Sequence, residues 1–267
     1  MNASEKGRTV AILVTGLVAV VLFSASVVQA QETIPITITP SDQAVLADLE
    51  ALAATLSPEL QAALLAKIQQ LKGAIYVKTK CVLSKTDALE LDAELPALPG
   101  TGTAAAWANA DINQRFLKAR LEVEDGIAEL SGPTHPYSLH HRYQIPFNQD
   151  GFLSLVTECY QYTGGAHGMT FKTAYNLDLN RDRLLSLRDF FPERDNYVAD
   201  IKTEIKAAIA ADPDTYFPEA VETVDGWTGE FPFHLEEDNV VIFFHPYDLA
   251  CYAAGFREFK IPYDTLP

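Results

Sequence analysis

Between Ser138 and Leu179 the chain alternates extended runs with short turns, and nothing else in it restricts the fold as much. Ser138 to Phe147 reads as one strand and Phe152 to Thr163 as its return, joined by the hairpin signal Asn148-Gln149-Asp150-Gly151. Met169 to Leu179 is a third strand, turning at Asn180-Arg181-Asp182. Leu184 to Phe191 then leads into a helix, Tyr197 to Ala210, with Ile201, Ile205 and Ile209 on one side. A short helix near Phe217 to Val224 follows. Strands over Phe231–Leu235, Val240–His245 and Phe256–Pro262 close the chain, the first two split by a turn at Glu237-Asp238-Asn239.

Upstream, Ile75, Val77, Thr79, Cys81 and Leu83 share one face of a strand. Leu89, Leu91, Ala93 and Leu95 do the same in a second run, which Pro96, Pro99, Gly100 and Gly102 break. A helix begins at about Thr103, with Trp107, Ile112, Phe116 and Ala119 facing inward. Helices set between groups of adjacent hairpins predict an α+β fold with antiparallel sheets and packed helices. A helical segment precedes it. Val45, Leu46, Leu49, Leu52 and Leu56 recur at helical spacing, and Ser57-Pro58 restarts a helix lined by Leu60, Leu64, Ile68 and Leu71. The stretch Thr33–Thr39 reads as an extended linker.

The N-terminus predicts export. Lys6 and Arg8 precede an uncharged stretch from Thr9 to Gln31, which ends on the small-residue exit Val28-Gln29-Ala30. A basic start, an apolar middle and such an exit make a secretory signal cut after Ala30. Left uncut, the stretch is long enough to tether the chain to a membrane. The expected location is therefore the periplasm, the extracellular space or the cell surface. Removing residues 1–30 takes the net charge from −16 to −17, since Lys6 and Arg8 leave with Glu5. Such acidity excludes a nucleic-acid partner and steers a basic one. It also serves simply to keep an exported protein soluble. The three cysteines, Cys81, Cys159 and Cys251, permit one disulfide, for which Cys159 and Cys251 are the candidate pair.

Signatures of chemistry are scarce. The motifs GxSxG, HExxH, GxGxxG and the P-loop are absent. The glycine-rich Gly164-Gly165-Ala166-His167-Gly168 lies between two strands, so no helix N-terminus is there to take a phosphate. His140 and His141 are adjacent on a strand and point to opposite faces, whereas His167 and His245 each end a strand and can meet. No metal site and no cofactor are expected. Glu158 and Asp248 can form an acid/base pair, but the favoured reading makes them acceptors for backbone N–H groups at irregular turns.

Two segments are more specific. The first runs Tyr160-Gln161-Tyr162-Thr163-Gly164-Gly165-Ala166-His167-Gly168, then Tyr175-Asn176-Leu177-Asp178 and Leu187-Arg188-Asp189-Phe190-Phe191. The second is Val241 to Gly255, with His245-Pro246-Tyr247-Asp248 and Cys251-Tyr252 at its centre, ending in Ile261-Pro262-Tyr263. In this order and spacing they resemble the RsiV-type extracellular domain, which senses lysozyme in anti-sigma factors. Residues from about Ile75 to Tyr143 resemble the domain that precedes it, found also before peptidoglycan deacetylases of the PdaC type. The organisation expected is a signal peptide over 1–30, a linker and helical hairpin over 31–73, a PdaC-like domain over 74–145 and an RsiV-like domain over 146–267.

The resemblance implies binding rather than catalysis. The ligand surface expected comprises Tyr160, Tyr162, Gly164, Gly165, His167, Tyr247, Asp248 and Tyr252. The glycines force a fixed turn, and the tyrosines rim a surface suited to a protein or a glycan. The same tyrosines can instead be core packing with bonded hydroxyls. The expected partner is a basic, lysozyme-like protein or a cell-wall glycan. Eight residues before the apolar stretch are too few for a sigma-binding segment, and no deacetylase domain is expected after Pro267. The competing expectations are an envelope hydrolase with a site near His167 and Asp248, and a scaffold built on the helical pair at 41–72.

Overall fold

The structure, a computed structural model, describes residues 50–263 except 52, 59, 63, 66, 67, 69–73, 101, 129–134, 193, 194 and 229. The export segment, the cut after Ala30, the linker and the start of the first helix lie outside the described residues. The chain divides into two compact units, one ending at Tyr76 and one beginning at Val77. In the first unit the Gln61 N–H donates to the Ser57 carbonyl at 2.8 Å, the helical restart expected at Ser57-Pro58. Ala53, Leu64 and Ile68 are buried.

In the second unit, a six-stranded and a three-stranded sheet are present among the described residues. The first carries β1 (Lys78–Lys85), β2 (Leu89–Ala97), β3 (Tyr137–Gln149), β4 (Phe152–Tyr162), β5 (Met169–Asp178) and β6 (Arg183–Leu184), in that order. All neighbours run antiparallel except β2 and β3. That pair is parallel because the helix α1 (Thr103–Ala128) carries the chain between them. The fold is thus α+β, as the hairpin pattern predicts, with one parallel join. The hairpin between β3 and β4 turns on Asp150 and Gly151, both at positive φ (53° and 83°), as a tight turn requires. β1 departs from expectation. Among the described residues it is an edge strand paired only to β2, and its apolar positions Cys81 and Leu83 face solvent while Val82 is half-buried.

α1 lays Ala104, Ala108, Ile112, Phe116, Ala119 and Val123 against the first sheet. Trp107, expected to point inward, is 49% exposed, since it sits on the flank of that stripe. Asp182 caps the helix from far along the chain. Its carboxylate accepts the Thr103 N–H (2.8 Å), the Thr103 hydroxyl (2.9 Å) and the Ala104 N–H (2.9 Å). These bonds hold its carboxyl below the usual carboxylate range.

The second sheet is β7 (Phe233–Leu235), β8 (Asn239–Phe244) and β9 (Arg257–Pro262). β8 is buried on both faces, which explains its unbroken run Val240-Val241-Ile242-Phe243-Phe244. One face meets Ile201, Ile205 and Ile209 of α2 (Tyr197–Ala211) and Val224 of α3 (Ala220–Gly226) in a single apolar core. The two sheets are stapled by buried polar groups. Ser154 Oγ donates to Asn176 Oδ1 (2.6 Å) and accepts the Leu235 N–H (3.0 Å), while Asn176 Nδ2 donates to the Phe233 carbonyl (2.8 Å). The division expected at 145/146 falls inside β3, so the first sheet runs continuously through it.

Candidate functional site

The turn after β4 is built by its glycines. Gly164 and Gly165 take φ of 95° and 93°, a region open to glycine but strained for other residues. The Tyr162 hydroxyl donates to the Gly165 carbonyl at 3.1 Å and closes the turn. A side chain at Gly168 would collide with the Gln161 carbonyl and the Tyr160 ring. His167, two residues before β5 begins at Met169, is exposed.

The second motif follows β8. Asp248 Oδ2 accepts the His245 N–H at 2.7 Å, and the Tyr247 N–H donates to the Ala250 carbonyl at 2.9 Å. This tight turn puts Tyr247 at φ 74°, a strained backbone for a residue with a side chain, and leaves it 50% exposed.

The two motifs meet. The His167 ring stacks on Tyr252 with centroids 4.0 Å apart and planes 13° from parallel. Tyr252 in turn lies 6.0 Å from Tyr247. His167 Nδ1 donates to the Gly168 carbonyl (2.8 Å), so in the neutral ring Nε2 is the acceptor facing the Tyr247 hydroxyl at 3.3 Å. Residues 80 positions apart thus form one bonded aromatic stack.

The other expected residues are placed elsewhere. Tyr160 packs against His140 at 5.7 Å, and Tyr162 serves the glycine turn. His245 does not join His167. Its Nε2 lies 3.1 Å from the Lys172 N–H and 3.0 Å from the Lys172 carbonyl, plugging the outer edge of β5. Asp248 is the turn acceptor, as favoured. Glu158 is instead an ion-pair partner of Lys172 (3.2 Å), which also bonds Glu258 (2.6 Å) and sits over Phe256 at 4.3 Å. This nearly buried lysine went unrecognised in the sequence, because a lone lysine in a strand gives no sign that two carboxylates from other strands will reach it. All three cysteines are free thiols. Cys159 and Cys251 are not joined, and burial pushes the Cys159 thiol up to about 11. Among the described residues, no three of His, Cys, Asp and Glu are grouped to hold a metal ion. None of the described helices is long and apolar enough to cross a membrane.

Comparison with known proteins agrees with this architecture. Residues 82–170 match the family described as Deacetylase PdaC, and residues 188–264 match DUF3298, a protein of unknown function. A PdaC-type domain and a DUF3298 domain are therefore both present, with most of β5 and all of β6 lying between the two matches. The first match extends well past residue 145, where the domain division was expected. The chain is 30% identical over 125 residues to the peptidoglycan-N-acetylmuramic acid deacetylase PdaC of Bacillus subtilis (strain 168). That alignment covers 45% of this chain and 26% of the deacetylase, so the chain spans about a quarter of its relative. Two crystal structures share the fold. A DUF3298 family member from Bacteroides fragilis superposes with a TM-score of 0.50 at 22% identity, covering 72% of this chain and 91% of that one. A DUF3298 family protein from Pseudomonas aeruginosa PAO1 gives 0.50 at 18% identity, covering 71% and 91%.

Proposed function

We propose that this is an exported, non-enzymatic binding protein of the cell envelope, and that His167, Tyr247 and Tyr252 form the centre of its ligand surface. The carrying observation is the stack itself. Two loops from different sheets converge on one spot, and one of them holds an exposed tyrosine in a strained backbone. Strained backbone clusters at active sites and ligand clamps. Tyrosine and histidine faces suit both a protein contact and the C–H face of a sugar. The favoured ligand is lysozyme or another basic protein, or a cell-wall component. The net charge of −16 and the resemblance to RsiV-type domains support the first, and the likeness to a peptidoglycan deacetylase supports the second.

Titration of residues 31–267 with lysozyme at low salt, beside co-sedimentation with purified peptidoglycan, tests the proposal. Binding to either supports it. Silence in both would sink it. The alternative is an envelope hydrolase working near His167 and Asp248, for which the deacetylase likeness speaks. Against it, Asp248 is committed to the His245 N–H and Glu158 to Lys172. Release of product from peptidoglycan that is lost in both His167→Ala and Asp248→Asn would favour the hydrolase.

A further inference from the structure

A second site lies away from the aromatic stack, in a cavity of about 330 Å³ between α1 and strands β3, β4 and β5. We propose that this cavity binds a neutral, hydroxyl-rich ring, one saccharide unit in size. The volume sits at the lower end of the range for small-molecule sites, enough for a single ring and too small for a chain.

The polar lining selects the chemistry. His141 is 4% exposed and lines the cavity from β3. Its Nδ1 lies 2.8 Å from the Glu94 carbonyl, which only accepts, so Nδ1 carries the proton. In that tautomer Nε2 is the ring's acceptor. Burial lowers the pKa of this ring, which keeps it a neutral acceptor. An occupant that brings an O–H or N–H can meet it. The charges on the helix wall are already balanced, Lys118 lying 3.7 Å from the Glu122 carboxylate and Arg115 bonding Asp111 at 2.6 Å, so the wall offers donors and acceptors without net charge. Gln161 and the hydroxyls of Thr157 and Thr173 can both donate and accept.

Other ligand classes fit worse. An anion would face Glu122 and the acidity of the whole chain. A cation would find the wall's carboxylates already paired, Glu122 with Lys118 and Asp111 with Arg115. A purely apolar molecule would bury those charges and leave Nε2 unmet. A ring of hydroxyls, each donor and acceptor at once, answers acceptors and donors together. Its C–H faces meet Ile112, Phe116 and Phe171, the last being 48% exposed.

Cys159 supplies the test. It is paired in register with His141 and lines the same cavity, whereas Cys81 and Cys251 are exposed. In the C81S/C251S protein, Cys159 is the one thiol left, and its alkylation by iodoacetamide at alkaline pH reports occupancy. N-acetylglucosamine and glucose at millimolar concentration are expected to slow that alkylation several-fold, and glucuronate much less. Each variant is compared with itself, with and without sugar. Protection should fall several-fold in Glu122→Gln, which keeps the wall's shape, and vanish in His141→Phe. Absence of protection by either neutral sugar, equal protection by glucuronate, or full protection in Glu122→Gln would each overturn the assignment. If His141→Phe does not fold, Glu122→Gln alone decides. Protection that persists in His167→Ala separates this cavity from the aromatic stack.

Discussion

Tyr247 is where structure and proposed role pull against each other most plainly. Its φ of 74° is a left-handed backbone that costs a side-chain-bearing residue about 1–2 kcal/mol. Tyr247→Gly removes that strain, at an unfolded-state penalty of roughly 0.5–1 kcal/mol. Thermal denaturation should therefore show a variant as stable as the parent or more so, yet with weaker ligand binding. A variant that loses both stability and binding would mark Tyr247 as packing. Ser154 and Asn176 behave oppositely. Either one truncated to alanine strands buried groups of the staple, at about 1–3 kcal/mol for each group left unpaired. Denaturant titration should register that loss with binding unchanged once the protein is folded. Glycines and turn dipeptides made their places legible in the sequence, because positive φ demands particular residues. Lys172 and the Ser154–Asn176 pair did not, because their meaning depends on which distant strand lies opposite.

Among the elements, α1 is held at its start by an aspartate from the β5–β6 turn. Asp182 and Asp92 both have carboxyls lowered in the fold, the first by the Ala104 and Thr103 N–H groups, the second by the Arg142 guanidinium. A depressed carboxylate stabilises the fold above its unfolded pKa, near 4, and that contribution is lost as pH falls through the lower folded value. Asp182→Asn should lower the melting temperature at pH 7 and converge with the parent in strong acid. A constant difference across pH would refute the capping role. The strands and α2 were legible from periodicity, and β8 from its uninterrupted apolar run. The faces of β1 and the inward turn of Trp107 were not. An edge strand leaves one apolar face uncovered, and the helix stripe is set by the sheet it meets rather than by the largest residue on the helix.

At the scale of the whole molecule, the first sheet runs through the division expected at 145/146, because β3 must pair with β2 on one side and β4 on the other. Two buried histidines, His141 and His234, have pKa values lowered chiefly by burial. The unfolded chain takes up protons at these rings as pH falls below about 6.5, so stability should decline from there, ahead of the carboxylates. A stability curve flat from pH 7 to 5 would contradict this. The convergence of the glycine turn and the Tyr247 turn was expected from the sequence as a neighbourhood. Of the residues expected there, His167, Tyr247 and Tyr252 form the stack, whereas Tyr160 packs on His140 and Tyr162 closes the glycine turn. The most direct test of that stack as the ligand surface is one calorimetric comparison. Residues 31–267 and the variant His167→Ala are titrated with whichever of lysozyme or solubilised peptidoglycan the parent binds. At least tenfold weaker binding by a variant that still melts cooperatively is the predicted result, and unchanged affinity would contradict the account.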